Sequence, residues 1–120
     1  MIIACPEKNP RHRKFTELSE ATLLFKGART IVTNRKSPLS YNTTGTPGMA
    51  TGGQGDVLSG LLAALMSRGF ESLEAAKTGA WLCGRASELS LSSQSEESLS
   101  ATTTADYLGL AFQKLRSAPL

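Results

Sequence analysis

A mixed α/β domain, strands first and helices after, is the fold class this sequence predicts, on three observations. Residues 22–25 and 30–33 are rich in Leu, Phe, Ile, Val and Thr and flank Lys26, Gly27, Ala28 and Arg29, as two strands flank a tight turn. Six of the eleven glycines, Gly45, Gly48, Gly52, Gly53, Gly55 and Gly60, fall within sixteen residues. Beyond them, apolar residues recur at helical spacing in three successive segments.

Taken in order, the first residues mix Pro6, Pro10 and charged side chains with few apolar ones, so 1–21 reads as a charged lead-in and 22–120 as the domain. Two strands follow at 22–25 and 30–33, and a third short run, Leu39 to Asn42, comes after Pro38. The glycine-dense stretch is expected to be mostly irregular backbone. Val57, Leu58, Leu61, Leu62, Leu65 and Met66 then mark one face of a helix that Gly69 ends. A second helix is expected after Ser72, with Glu74 in its first turn and a stripe of small residues at Ala76, Gly79, Ala80, Cys83 and Ala86. Small faces let two backbones approach closely. A polar connection over residues 90–100 leads to a third helix with Tyr107, Leu108, Ala111, Phe112 and Leu115 on one side. No internal repeat or long linker divides the chain.

Composition removes several function classes. At 120 residues and 40% hydrophobic content the chain is long enough for one core. No run approaches the roughly 18–20 apolar residues of a membrane span, and residues 1–10 lack the pattern of a signal region, so a soluble, cytoplasmic protein is expected. Cys5 and Cys83 are too few for a disulfide framework or a zinc site and are read as reduced thiols. Residues 1–36 carry eight basic and three acidic groups, the rest five and seven. The basic segment, with Lys8, Arg11, Arg13 and Lys14, has no interleaved aromatics, so a solvated surface is expected and not a nucleic-acid partner. His12, the lone histidine, lies in that segment and is read as solvated.

The chemistry concentrates in residues 42–56, which run straight into the first apolar helix. Without a Cβ, glycine takes positive φ and lets consecutive backbone N–H groups converge on an anion. The following helix adds unsatisfied N-terminal donors and the positive end of its dipole. Together these make a phosphate cradle. A carboxylate at its mouth, Asp56, would repel phosphate unless it had another task. Taking a proton from a hydroxyl that attacks a phosphoryl group is one such task; capping the helix is the other reading. Neither the P-loop pattern nor the dinucleotide fingerprint fits Gly52-Gly53-Gln54-Gly55.

Residues 42–60, N-T-T-G-T-P-G-M-A-T-G-G-Q-G-D-V-L-S-G, resemble the signature of NAD(P)H-hydrate dehydratases. Phe25-Lys26-Gly27-Ala28-Arg29-Thr30 is similar to the same family's Leu-Lys-Gly-x-x-Thr turn, and Trp81-Leu82-Cys83-Gly84 with residues 100–106 fits its later helices, so the resemblance spans residues 22–115. It implies a ribokinase-like three-layer α/β sandwich, of which this chain supplies the C-terminal half. The implied activity is dehydration of hydrated NADH or NADPH driven by ADP or ATP, with Mg2+ screening the phosphates. Asp56 would assist phosphorylation of the hydrate's hydroxyl and face the substrate. Gly52, Gly53, Gln54 and Gly55 would form the anion hole, and Lys26, Gly27, Ala28, Arg29, Thr30 and Gly55 would contact nucleotide, Arg29 through its backbone. Asn42, Gly45, Gly48, Met49, Ala50 and Thr51 are carried by motif position, Met49 as loop packing and Thr51 as a helix cap.

The departures from that pattern fall on substrate recognition. Family domains are usually more than twice as long, and Cys5-Pro6-Glu7 preserves at most a fragment of the histidine-containing segment that holds the hydrate. Thr46 replaces the commoner Asn, and Cys83 stands where His is frequent. Two other readings stay open: a catalytically silent nucleotide-binding or assembly module, and a ribokinase-like small-molecule kinase. Half a sandwich would leave a sheet edge and helix faces uncovered, so self-association into a homo-oligomer is expected.

Overall fold

A computed structural model gives the backbone of residues 2–5 and 11–117 and the side chains of residues 14–117. The chain runs β1 (Ile2–Cys5), α1 (Arg11–Leu18), β2 (Thr22–Phe25), β3 (Ile31–Asn34), β4 (Ser37–Tyr41), a 3-10 turn at Pro47–Met49, α2 (Gln54–Ser67), α3 (Ser72–Ser90), a second 3-10 turn at Glu96–Ser98, and α4 (Ala101–Ser117). The expected α/β class and order of strands, glycine loop and three helices are all present.

The four strands lie in the order β1-β2-β3-β4. β2 and β3 form the antiparallel hairpin around the Lys26 turn, with Leu23 opposite Thr33 and Phe25 opposite Ile31. β4 continues it antiparallel, with Ile31 opposite Tyr41 and an irregularity between Val32 and Asn34. It begins at Ser37 and includes Pro38, ahead of the expected run at 39–42. The outer position makes this possible, because Pro lacks an N–H and is tolerated on an edge strand.

Residues 1–21, expected as a lead-in, contain a strand and a helix. β1 pairs parallel with β2, Ile3 opposite Leu23, and α1 makes the crossover between them. A four-residue strand has no periodicity to announce it; its partner lies twenty residues on, where local pattern does not reach. The side chain of His12 and all of Lys8 lie outside the described residues.

All four residues of β2 are buried, and successive strand residues face opposite ways, so the central strand is covered on both faces. α3 packs against the sheet and α1 touches β2 and β3, while α2 and α4 pack on α3. Leu24, Val32, Leu58, Leu61, Leu62, Leu65 and Leu82 join the small stripe Ala76, Cys83 and Ala86 in one core. At Gly79 an added Cβ would stand 2.7 Å from Leu62 Cδ2, which is how closely α2 and α3 meet. Thr22 Oγ1 and Ser72 Oγ, 2.6 Å apart, tie the start of β2 to the start of α3. Met66 and Leu115, expected on buried faces, are 38% and 39% exposed.

Candidate functional site

The loop between β4 and α2 is pinned to α3 by its own polar side chains. Asn42 Nδ2 donates to the Ala80 carbonyl at 3.0 Å, and its backbone N–H donates to Thr30 O at 2.8 Å. Thr44 Oγ1 lies 2.9 Å from Asn42 Oδ1 and 3.0 Å from the Trp81 carbonyl. The Gly45 N–H donates to Glu88 Oε1 at 2.9 Å, and Arg85 holds the other oxygen of that carboxylate at 2.9 Å. Gly84 lets the loop come this close: a Cβ there would overlap Thr44 Oγ1 and stand 2.7 Å from its carbonyl carbon. Met49, half-buried, packs against the core from the 3-10 turn, as expected of it. Gly48 lies against residue 96, its added Cβ 2.8 Å from the Glu96 carbonyl.

Gly53, at φ +89°, turns the chain into α2 and is its N-cap. Glycine adopts this φ without strain, and a Cβ would stand 2.9 Å from Ala101 Cβ. Thr51, expected as a cap, does not serve as one; no side-chain hydrogen bond closes this helix start. The first intrahelical bonds run from Asp56 N–H and Val57 N–H to Gly53 O. Asp56 therefore sits in the first turn, exposed, and its carboxylate makes no hydrogen bond or ion pair among the described residues, so the capping reading fails.

Lys26, at the end of β2, reaches this turn. A Cβ on Gly55 would stand 2.6 Å from Lys26 Nζ, so the ammonium rests against the second residue of α2. Among the described residues Lys26 has no carboxylate partner. A cation placed at the positive end of a helix dipole, beside unfilled backbone donors, is two like-signed features facing one space. A bound anion would satisfy both.

A cavity of about 750 Å³ opens beside this point. Lys26, Gly27, Ala28 and Thr30 form one wall, and Asn42, Gly45, Met49, Ala50 and Thr51 of the loop another, with Gln54 at the start of α2 beside them. The third wall is Leu58 of α2 with Ala80, Cys83 and Gly84 of α3; the sequence shows these residues as motif and stripe positions, but not that tertiary packing brings them to the loop. Burial pushes the Cys83 thiol up from 9.0 to about 11. Arg29 and Asp56 are exposed and do not line the cavity. Gly52, Gly53 and Gly55 do not line it either; they shape the helix start at its edge. No cluster of three His, Cys, Asp or Glu side chains able to hold a metal occurs among the described residues.

The family model described as NAD(P)H-hydrate dehydratase matches residues 6–109. The bifunctional NAD(P)H-hydrate repair enzyme Nnr of Moorella thermoacetica is 36% identical over 102 residues, which are 85% of this chain and 19% of that one. The ADP-dependent (S)-NAD(P)H-hydrate dehydratase of Neisseria meningitidis is 39% identical over 77 residues, 64% of this chain and 26% of that one. In structure, the ADP/ATP-dependent NAD(P)H-hydrate dehydratase of Bacillus subtilis, co-crystallised with ATP/Mg2+, superposes with a TM-score of 0.78 at 21% identity, over 94% of this chain and 47% of that one. The ribokinase-like fold is thus shared, and the chain spans about a fifth to a quarter of the length of these two curated relatives.

Proposed function

This chain belongs to the NAD(P)H-hydrate dehydratase family, and from that premise we propose that it binds an adenine nucleotide and takes part in nucleotide-driven dehydration of hydrated NADH or NADPH. The observation that carries the proposal is the Lys26 ammonium, which has no carboxylate partner among the described residues, resting against the first turn of α2. Phosphate oxygens of ADP or ATP would accept from Lys26 Nζ and from the free N–H groups at Gly53, Gln54 and Gly55. Gly27, Ala28 and Thr30 would contact the nucleotide in the cavity, with Arg29 contributing its backbone. Asp56, exposed and without a partner among the described residues, would take the proton of the hydrate's hydroxyl as that oxygen attacks the terminal phosphoryl group, whose bond to the bridging oxygen breaks and releases the shortened nucleotide. Phosphate then leaves with its carbon–oxygen bond electrons as the ring nitrogen's pair pushes in, and loss of a proton from the neighbouring carbon re-forms the double bond. When bound, Mg2+ would neutralise phosphate charge; with no three-ligand cluster among the described residues, the nucleotide's own oxygens and water would hold it, which fits the way this ion usually binds.

A buried free thiol at Cys83 suits a reducing cytoplasm, and among the described residues no helix is long and apolar enough to cross a membrane. Exposed Phe15, Leu18, Tyr41 and Leu110 favour self-association into a homo-oligomer.

The test is to supply NADH hydrate, magnesium and either ADP or ATP, and follow recovery of reduced-nicotinamide absorbance. Recovery above the nucleotide-free rate is expected. A phosphorylated product that persists would instead select a small-molecule kinase, and nucleotide binding without turnover a silent module.

A further inference from the structure

Gln54 is the one side chain among the described residues whose polar atoms are buried with no hydrogen-bond partner. It is 8% exposed, opens α2, and lines the cavity between the Lys26 turn and α3. The anion cradle asks only for main chain at this position, so it does not account for the side chain. A buried amide with both Nε2 and Oε1 unsatisfied destabilises the free protein, and an apolar side chain of like size would remove that cost while leaving the cradle intact.

Both atoms are orphaned, so the missing partner offers an acceptor and a donor side by side. Phosphate oxygens only accept and would leave Oε1 unpaired. A carboxamide presents both, as does the amino edge of an aminopurine, which a glutamine reads in a bidentate pair. The adjoining wall of Leu58, Ala80 and Cys83 is apolar, the kind of surface on which a flat ring packs.

We infer that Gln54 reads a planar donor–acceptor edge of the ligand, its amide turning into the cavity as that edge enters. The inference rests on the nucleotide and hydrate reading above, which supplies two sources of this chemistry: the adenine amino edge and the nicotinamide carboxamide.

Calorimetric titration of the full chain with two matched pairs separates them. One pair is ADP and purine riboside 5′-diphosphate, which lacks the amino group. The other is reduced nicotinamide mononucleotide and its 3-acetylpyridine analogue, whose ketone has no N–H. The wild type is expected to prefer the complete member of one pair by about 10- to 100-fold, the range one bidentate base contact provides. Gln54→Leu should abolish that preference and melt at a higher temperature than the wild type; the responding pair identifies the source. Equal binding within both pairs by the wild type overturns the inference without any variant. So does a Gln54→Leu protein that keeps the preference, or melts lower with binding unchanged. If the wild type binds none of the four probes, the nucleotide reading fails as well.

Discussion

Lys26 and Gly55 are the pair on which the site turns, and each was legible as a motif position while their contact was not. Lys-Gly and Gly-x-Gly-Asp are local patterns, but that the lysine ends against the second residue of α2 follows from the hairpin's placement beside the helix. A Gly55→Ala substitution would bring a methyl group 2.6 Å from Lys26 Nζ, the far end of a flexible side chain, which moves aside. Stability should hold, while ADP affinity falls by about 10-fold or more, since a hydrogen bond to a charged group is worth about 1.5–3 kcal/mol. Titration calorimetry beside a thermal melt checks both halves. Cys83 gives a pH prediction. Its thiol is raised by burial from 9.0 to about 11, so the unfolded chain loses the proton first as pH climbs. The stabilisation is complete below pH 9.0 and lost on the way to about 11, a change on the order of 2–3 kcal/mol. Urea midpoints for wild type and Cys83→Ala across that window should converge, because only the wild type carries this loss. Gln54 shows the limit of reading by pattern: its backbone role is visible in the motif, whereas the orphaned amide exists only in three dimensions.

Among the elements, the three long helices were legible because their apolar spacing persists over several turns, and glycine marks the end of α2. β1 was not, because four residues carry no period and the strand is defined by a partner across α1. The loop's attachment to α3 was likewise invisible, although Asn42, Thr44 and Gly84 make it. A Cβ at position 84 has nowhere to go, since it meets both the Thr44 hydroxyl and backbone. Gly84→Ala should therefore cost about 1–3 kcal/mol, as overpacking does, and shift the loop that walls the cavity. A denaturant midpoint lowered together with nucleotide affinity is the expected pair of results. An unchanged midpoint would mean that the loop is not held where Gly84 places it.

For the whole molecule, the α/β order and family were readable because the 42–60 signature is long and specific, and the shared fold extends over 94% of the chain. The chain covers 19% and 26% of the length of these two curated relatives, and exposed Phe15, Leu18, Tyr41 and Leu110 carry the assembly prediction. Sedimentation velocity should show a dimer or larger species, and substitution of Leu18, 80% exposed, by a charged residue in a background of wild-type melting temperature should shift it toward monomer if α1 takes part. At the centre stands the claim that the start of α2 holds phosphate while Asp56 takes the proton. It is tested most directly by comparing wild type with Asp56→Asn, measuring absorbance recovery from NADH hydrate with ADP or ATP and magnesium, and nucleotide affinity by calorimetry. Recovery should be lost in Asp56→Asn with affinity kept within a few-fold; equal recovery by the two proteins would contradict the account.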